Sequence, residues 1–281
     1  MKVLVTGAGG MLGSDLTETL RGTHEVLAFT HRELDITDRS ALRDLISAER
    51  PEVVVNCAAY TQVDRAEEER ERAYLVNGLG VQNLALLSEE YGAVLCHVST
   101  DYVFDGRKNT PYTPFDNTGP INYYGYTKLA GERFIQWHMS RFYIVRTSWL
   151  YGAGGGNFVK TILRLSRERD ELRVVDDQRG SPTYTVNLSK AIERIITSGA
   201  FGIHHVTDHT GGGISWYEFA RAIVDLTGSK TRVIPITTEE FPTPARRPAY
   251  SVLDTSFTEI STGYSPPDWY DSLKNFIGTL P

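Results

Sequence analysis

The chain has 281 residues, 41% of them hydrophobic and 23% charged, with a net charge of −6. That is the composition of an ordinary globule with ample length for a large core, and it argues against a general nucleic-acid binder, which needs clustered excess cation. No apolar run approaches the roughly 18 residues of a membrane span, so no membrane partner is expected.

The first element is a short β-branched run over 2–6, which reads as a strand. Lys2 is followed by only four residues before a glycine turn, unlike a signal peptide, and a cytoplasmic location is the default expectation. Gly7, Gly10 and Gly13 follow, opening a helical pattern through Leu16 and Leu20. Strand, glycine turn and helix in this order suit a dinucleotide. Gly7 turns the chain tightly, Gly10 lets backbone approach the pyrophosphate, and the helix N-terminus supplies N–H groups and positive potential. The bland alternative is an ordinary β–α turn.

A second strand over 25–29 ends near His31 and Arg32, and the first acid after it is Glu33. An NAD site usually places an acid at this strand's end, whereas a cation suits a 2′-phosphate, so NADPH is favoured over NADH. Arg32 as a solvated loop residue is the competing reading. Asp35, followed by Ile36, is placed to accept from an adenine amine or to cap a helix with Thr37 and Asp38.

Strands are further predicted over 53–57, 94–98 and 142–147, with helices over 38–48, 70–91 and 123–137. This alternation implies an α/β fold, a parallel sheet with helices on both faces and right-handed crossovers. Cys57 and Cys96 both lie in strand-like apolar runs and read as buried thiols rather than a disulfide or metal pair. The fourth strand ends at Ser99 and Thr100, which alternation points to opposite faces. Next, Tyr124 and Lys128 stand four residues apart, on one face of the predicted helix. A fixed ammonium there would lower the tyrosine pKa and make the phenol a proton donor or acceptor near neutral pH. A solvated helix face is the alternative.

After about residue 150 the texture changes. Helices are predicted over 157–169, 186–197, 216–227 and 268–278, and strands over 172–175, 202–206 and 232–236. Five of the twelve prolines fall between 237 and 268, a stretch read as mostly loop. The division expected is a dinucleotide-binding domain over 1–150, with 184–210 returning to it, and a substrate-binding lobe from 151–183 and 211–281.

Taken together, these stretches resemble the extended short-chain dehydrogenase/reductases, and more closely the dTDP-4-dehydrorhamnose reductase family. The matching segments are Gly7 to Gly13, Asn56 to Asp64, Asn77 with Gly78 and Asn83, Ser99 to Gly106, Tyr124 to Glu132, Arg146 to Gly152, Asp177 to Thr183 and Arg247 to Ser251. They run in order along nearly the whole chain. The resemblance implies a Rossmann-like doubly wound parallel sheet with a smaller C-terminal α/β lobe for a dTDP-sugar substrate. It implies that NAD(P)H reduces the 4-keto group of dTDP-4-dehydro-L-rhamnose. In that scheme Tyr124 donates the proton, Lys128 lowers its pKa and binds the nicotinamide ribose, and Thr100 polarises the carbonyl.

The resemblance also places Gly7, Gly10, Met11 and Leu12 at the pyrophosphate turn, with Ala58, Ala59, Tyr60 and Asn77 along the cofactor. Asp101, Tyr102, Trp149, Asn157, Gln178 and Arg247 would face the sugar nucleotide. Arg247 suits a diphosphate by bidentate pairing, with Arg246 as competitor and a surface ion pair as the bland reading. For Trp149 the bland reading is core packing. Tyr102 stands where related dehydratases carry Glu, which favours simple reduction over dehydration. Two departures concern Met11, where the family often has Gln, and Asp15, where it often has Glu. Some members use that Glu in a Mg²⁺ site at a dimer interface, so Mg²⁺ and a homodimer stay open. Two other readings also stay open: an NADP-binding regulatory subunit resembling the methionine adenosyltransferase β subunit, and a reductase of another 4-keto nucleotide sugar.

Overall fold

Side-chain alternation along the strands sets the architecture. The computed structural model describes residues 1–280. Six parallel strands form one sheet: β1 (Lys2–Thr6), β2 (Glu25–Phe29), β3 (Val53–Asn56), β4 (Val94–Thr100), β5 (Phe142–Thr147) and β10 (Gly202–His205). Their spatial order is β10-β5-β4-β3-β1-β2, reversing direction of growth beside β1. Val3, Val5, Val53, Val55, Cys96 and Val145 point to one face. There they meet α1 (Met11–Arg21) through Leu12, Leu16 and Leu20, and α7 (Thr185–Ser198) through Leu188, Ile192 and Ile195. Leu4, Val54, Leu95 and Ile144 point the other way, onto α2 (Arg39–Glu49), α4 (Val81–Tyr91) and α5 (Tyr123–His138). Both faces are covered, as a parallel sheet requires.

The predicted helix over 70–91 is interrupted. Arg70–Tyr74 (α3) leads into a π-helical turn, Leu75–Gly80, before α4. Gly80 sits where an added Cβ would meet the Ile36 side chain at 2.8 Å. Helix starts follow the local chemistry: Asp38 accepts from the Ser40 and Ala41 N–H groups at the start of α2, and Asn122 from the Gly125 N–H at the start of α5.

The remaining elements build a second layer around their own core. Short strands β6 (Leu150–Tyr151), β8 (Arg179–Gly180), β9 (Thr183–Tyr184) and β11 (Ile214–Ser215) pair as β6–β9 and β8–β11, and β7 (Glu171–Val175) pairs with β12 (Arg232–Ile236). Helices α6 (Phe158–Glu168), α8 (Trp216–Leu226) and α10 (Trp269–Gly278) close over Tyr151, Val159, Leu172, Phe219, Ile223 and Phe276. The proline-rich stretch is not all loop, because Ser256–Thr262 forms helix α9. The prolines at 248 and 266 flank that helix without entering it. No helix among the described residues is long and apolar enough to cross a membrane.

Candidate active site

A cavity of about 920 Å³ opens along the C-terminal edge of β1, β2 and β3. Gly7 turns the chain beneath it with φ +70°, and a Cβ there would stand 2.6 Å from the Ala58 nitrogen. Only glycine fits that conformation and that approach. The Gly10 N–H bonds back to the Gly7 carbonyl, and α1 starts at once. The first N–H groups of α1, on Met11 and Leu12, thus lie at the helix mouth without intrahelical partners. Gly7, Gly10, His31, Arg32, Asp35 and Ile36 line the cavity, as do Ala58, Ala59 and Tyr60. Arg32 is exposed at the rim. Glu33 is turned inward on its own loop, accepting from the Thr30 N–H and hydroxyl at 2.8 Å each. Arg32 lines the cavity and Glu33 does not.

Several predicted residues hold other positions. The Leu12 side chain is packed in the core with Leu16, so only its backbone faces the turn. Asn77 is fully buried, and its amide clamps Tyr60 through the Tyr60 N–H at 2.9 Å and carbonyl at 3.0 Å. It braces the wall of the cavity and makes no part of its lining. Asp35 accepts from the Thr37 N–H and hydroxyl through one oxygen, the turn geometry that competed with an adenine contact. Asp15 accepts from the Thr185 hydroxyl, and among the described residues no three His, Cys, Asp or Glu side chains gather to hold a metal. Arg72 escaped the sequence reading. It lines the cavity, its guanidinium 5.8 Å from the Tyr60 ring centre. Only the fold reveals this, since α3 swings a residue of a charged run over the pocket.

The catalytic candidates sit where β4 meets α5. Thr100 ends β4, and its hydroxyl donates to Asp101 Oδ1 at 2.9 Å while accepting from the Tyr102 N–H. Ser99, on the opposite face, donates to Glu132. Gly125 lets α5 press against this corner, since a Cβ there would lie 2.1 Å from the Tyr102 carbonyl oxygen. Tyr124 meets the Tyr102 ring edge-on at 6.0 Å. Burial first, then the nearby Asp101 charge, pushes the Tyr124 phenol above its ordinary pKa, while the Thr100 hydroxyl pulls the other way. Burial likewise lifts Asp101 to about 6. Its Oδ2 is buried without a hydrogen-bond partner, with Ser251 close by but out of bonding geometry.

Lys128 differs from expectation. It shares a helix face with Tyr124, yet its Nζ turns into the protein, donating to the Val98 carbonyl at 2.7 Å and meeting His97 Nε2 at 3.2 Å. Burial draws its pKa down to about 8. Lys128 thus does not lower the Tyr124 phenol, which burial raises.

A second cavity of about 730 Å³ lies in the C-terminal layer, between α6, β7, α8 and the 236–247 segment. Phe158, Trp216 and Phe241 give it aromatic walls, and Gln178 and Arg247 supply polar ends. Gln178 donates to the Thr238 hydroxyl. Arg247 grips Asp64 with both terminal nitrogens. Asn157 is the cap of α6 and also donates to the Gly152 carbonyl, so its amide is committed within the chain. Trp149 stacks on Trp216 at 3.5 Å with φ 48°, a strained backbone for a bulky residue. Arg246 is exposed and leaves the cavity to Arg247. Thr100, Tyr124 and Lys128 line neither cavity; Cys57 lines the first and Arg247 the second. The Cys57 thiol is pushed up to about 12 by burial and stays neutral.

The family model for the RmlD substrate binding domain matches residues 1–280. The chain belongs to the RmlD family. Among its relatives, dTDP-4-dehydrorhamnose reductase of Aggregatibacter actinomycetemcomitans is 43% identical, covering 98% of this chain and 97% of the relative. The dTDP-4-keto-6-deoxy-D-glucose reductase of Streptomyces niveus is 44% identical, covering 89% of this chain and 87% of its own. A crystal structure of dTDP-4-dehydrorhamnose reductase from Bacillus anthracis in complex with NADP superposes with a TM-score of 0.95 at 42% identity, covering 99% of each chain. The RmlD resemblance thus extends over the glycine turn, the catalytic corner and the C-terminal layer together.

Proposed function

We infer that this RmlD-family chain reduces the 4-keto group of dTDP-4-dehydro-L-rhamnose to give dTDP-L-rhamnose, using NADPH. The observation that carries the reading is the corner of Thr100, Tyr124 and Lys128, where the end of β4 meets α5, in a chain that also holds a glycine-turned cavity and an aromatic-walled one. Residues 1–150 with 184–210 are read as the cofactor-binding part, and 151–183 with 211–281 as the lobe for the nucleotide sugar.

The first cavity fits a dinucleotide. Its floor is a turn that any Cβ would block, its mouth carries the free N–H groups of α1, and its far rim carries His31 and Arg32 for a 2′-phosphate. When bound, the nicotinamide supplies the hydride. Tyr124 holds the proton that the developing alkoxide takes; a phenol raised by burial keeps that proton through the neutral range. Thr100 orients the keto oxygen once its hydroxyl turns from Asp101. Lys128 reaches the ribose and the phenol when it leaves Val98 and His97. Arg247 meets the diphosphate, and Phe158, Trp216 and Phe241 enclose the base and exclude water.

The test is loss of NADPH absorbance on adding dTDP-4-dehydro-L-rhamnose, with the product identified by NMR. Cofactor binding without turnover would remove this substrate. A second reading, reduction of another 4-keto dTDP-sugar, is favoured by the 44% identity to the S. niveus enzyme. A different product in the same assay would establish it.

A further inference from the structure

His97 is a polar residue amid the apolar first half of β4, fully buried and outside the roles assigned above. Its hydrogen bonds fix the charge of a neighbour. The Ala58 backbone N–H can only donate, and it lies 3.0 Å from Asn56 Oδ1. The Thr6 hydroxyl approaches the same oxygen at 2.7 Å. This orients the buried Asn56 amide, whose NH₂ must then face His97 Nδ1 at 2.9 Å. Nδ1 is therefore an acceptor, and the single proton of a neutral imidazole sits on Nε2. That N–H points at Lys128 Nζ, 3.2 Å away. An ammonium has no lone pair to receive it. A neutral amine does, and still donates to the Val98 carbonyl.

The other charged or titratable groups around Lys128 do not undo this. On α5 itself, Glu132 is held by Arg146 from β5, with contacts of 2.6 to 3.3 Å, and by Ser99. Tyr124, on the same helix, keeps its proton. Cys57, following β3, is an uncharged thiol. Burial holds His97 neutral, its pKa well below the ordinary value.

We propose that Asn56 and His97 form a tautomer lock in which Lys128, turned onto Val98 and His97, is an uncharged amine in mildly alkaline solution, and that seating the nicotinamide ribose against Lys128 draws one proton onto it. The second half rests on the cofactor reading above; the first stands without it. His97 is thus a positioning residue that acts through Lys128. Protonated Lys128 is incompatible with the His97 contact, so charge and release go together. Burial sets the changeover at about 8. Cofactor affinity then falls as pH rises through that value, because the bound form holds a proton that the free form has lost.

The ligand-free protein, labelled with ¹³C-lysine and ¹⁵N-histidine, tests the lock by NMR, with Lys128→Met identifying the resonance. The expected result is a Lys128 ε-carbon midpoint near the value set by burial and a His97 Nε2–H tautomer. An ammonium persisting to about pH 10, or an Nδ1–H tautomer, overturns the proposal. Asn56→Asp presents only acceptors to His97, so it should move the imidazole proton to Nδ1 and keep Lys128 charged. His97→Asn keeps an acceptor for Asn56 but removes Nε2–H, and should raise the Lys128 midpoint; an unchanged midpoint counts against the lock. Calorimetric titration with NADPH in buffers of different ionisation heat reads proton uptake, expected to approach one near about pH 9 and to vanish in Asn56→Asp. Binding without uptake refutes the second half. Absence of binding refutes the cofactor reading, while the NMR result still decides the lock.

Discussion

Arg247 holds Asp64 through both guanidinium nitrogens, at 2.6 and 2.8 Å, across 183 residues of sequence. The pair fastens the 243–247 segment to the loop after β3, and the Ala245 N–H adds a third bond to the same carboxylate. Arg247 holds the Asp64 carboxyl below its usual range. The stability it gives is present above about pH 4 and is lost as the pH falls through the lowered pKa. On the proposed reading, a diphosphate arriving at Arg247 would share it with Asp64.

Replacing Asp64 by Asn removes that competition and leaves an oxygen for the Ala245 N–H. The variant should bind dTDP about three- to tenfold more tightly, measured by calorimetry. Weaker binding would show that Asp64 serves the site by fixing Arg247 in place.

Tyr124→Phe deletes the proposed proton donor without disturbing the glycine turn. Turnover should fall by about 10²- to 10⁴-fold with the NADPH dissociation constant nearly unchanged. Turnover close to that of the parent would assign the proton to another group.

Arg32→Ala should weaken NADPH by roughly three- to tenfold and leave NADH nearly untouched, because only NADPH carries the 2′-phosphate. Fluorescence titration with both cofactors decides it, and equal losses would separate Arg32 from the phosphate.

Asp101 gives a pH signature. Its folded pKa of about 6 lies above the ordinary 3.8, so the folded state keeps a proton that the unfolded chain has released. Stability should therefore fall as pH rises between those values and level off above them. Asp101→Asn should gain up to about 3 kcal/mol relative to the parent at neutral pH. That relative gain should vanish near about pH 4, as read by urea denaturation. A gain independent of pH would place the effect elsewhere.

The buried pair of Glu132 and Arg146 makes a stability prediction. Both side chains are almost fully enclosed. Arg146→Met alone leaves Glu132 charged and unpaired and should cost about 3–5 kcal/mol, whereas Glu132→Gln combined with Arg146→Met should cost much less.

The strands and most helices were legible in the chain because their signals are local: β-branched runs, side-chain alternation, glycines after β1 and capping residues before helices. Gly7, Thr100, Tyr124 and Lys128 could be singled out for the same reason. What the pattern could not carry were long-range pairings. Nothing near Lys128 in sequence announces that His97 and Val98 turn its amine inward. Nothing near Asn77 announces that its amide belongs to Tyr60. The glycine that ends the π-helical turn before α4 faces the side chain of Ile36, a residue from another loop. Helix α9 was missed because the proline density around it masked a seven-residue stretch that contains none.

The path of the chain between the two layers has a consequence for how the protein can be cut or built. The chain leaves the sheet after β5, visits the C-terminal layer, returns to lay α7 and β10 onto the sheet, and leaves again. A fragment ending at residue 150 would lose an edge strand and uncover Val3, Val5 and Leu16 on the face that α7 shields. The halves are interleaved, not beaded. Neither can be excised as a freestanding piece, and exchanging the lobe between relatives demands two splice junctions chosen together.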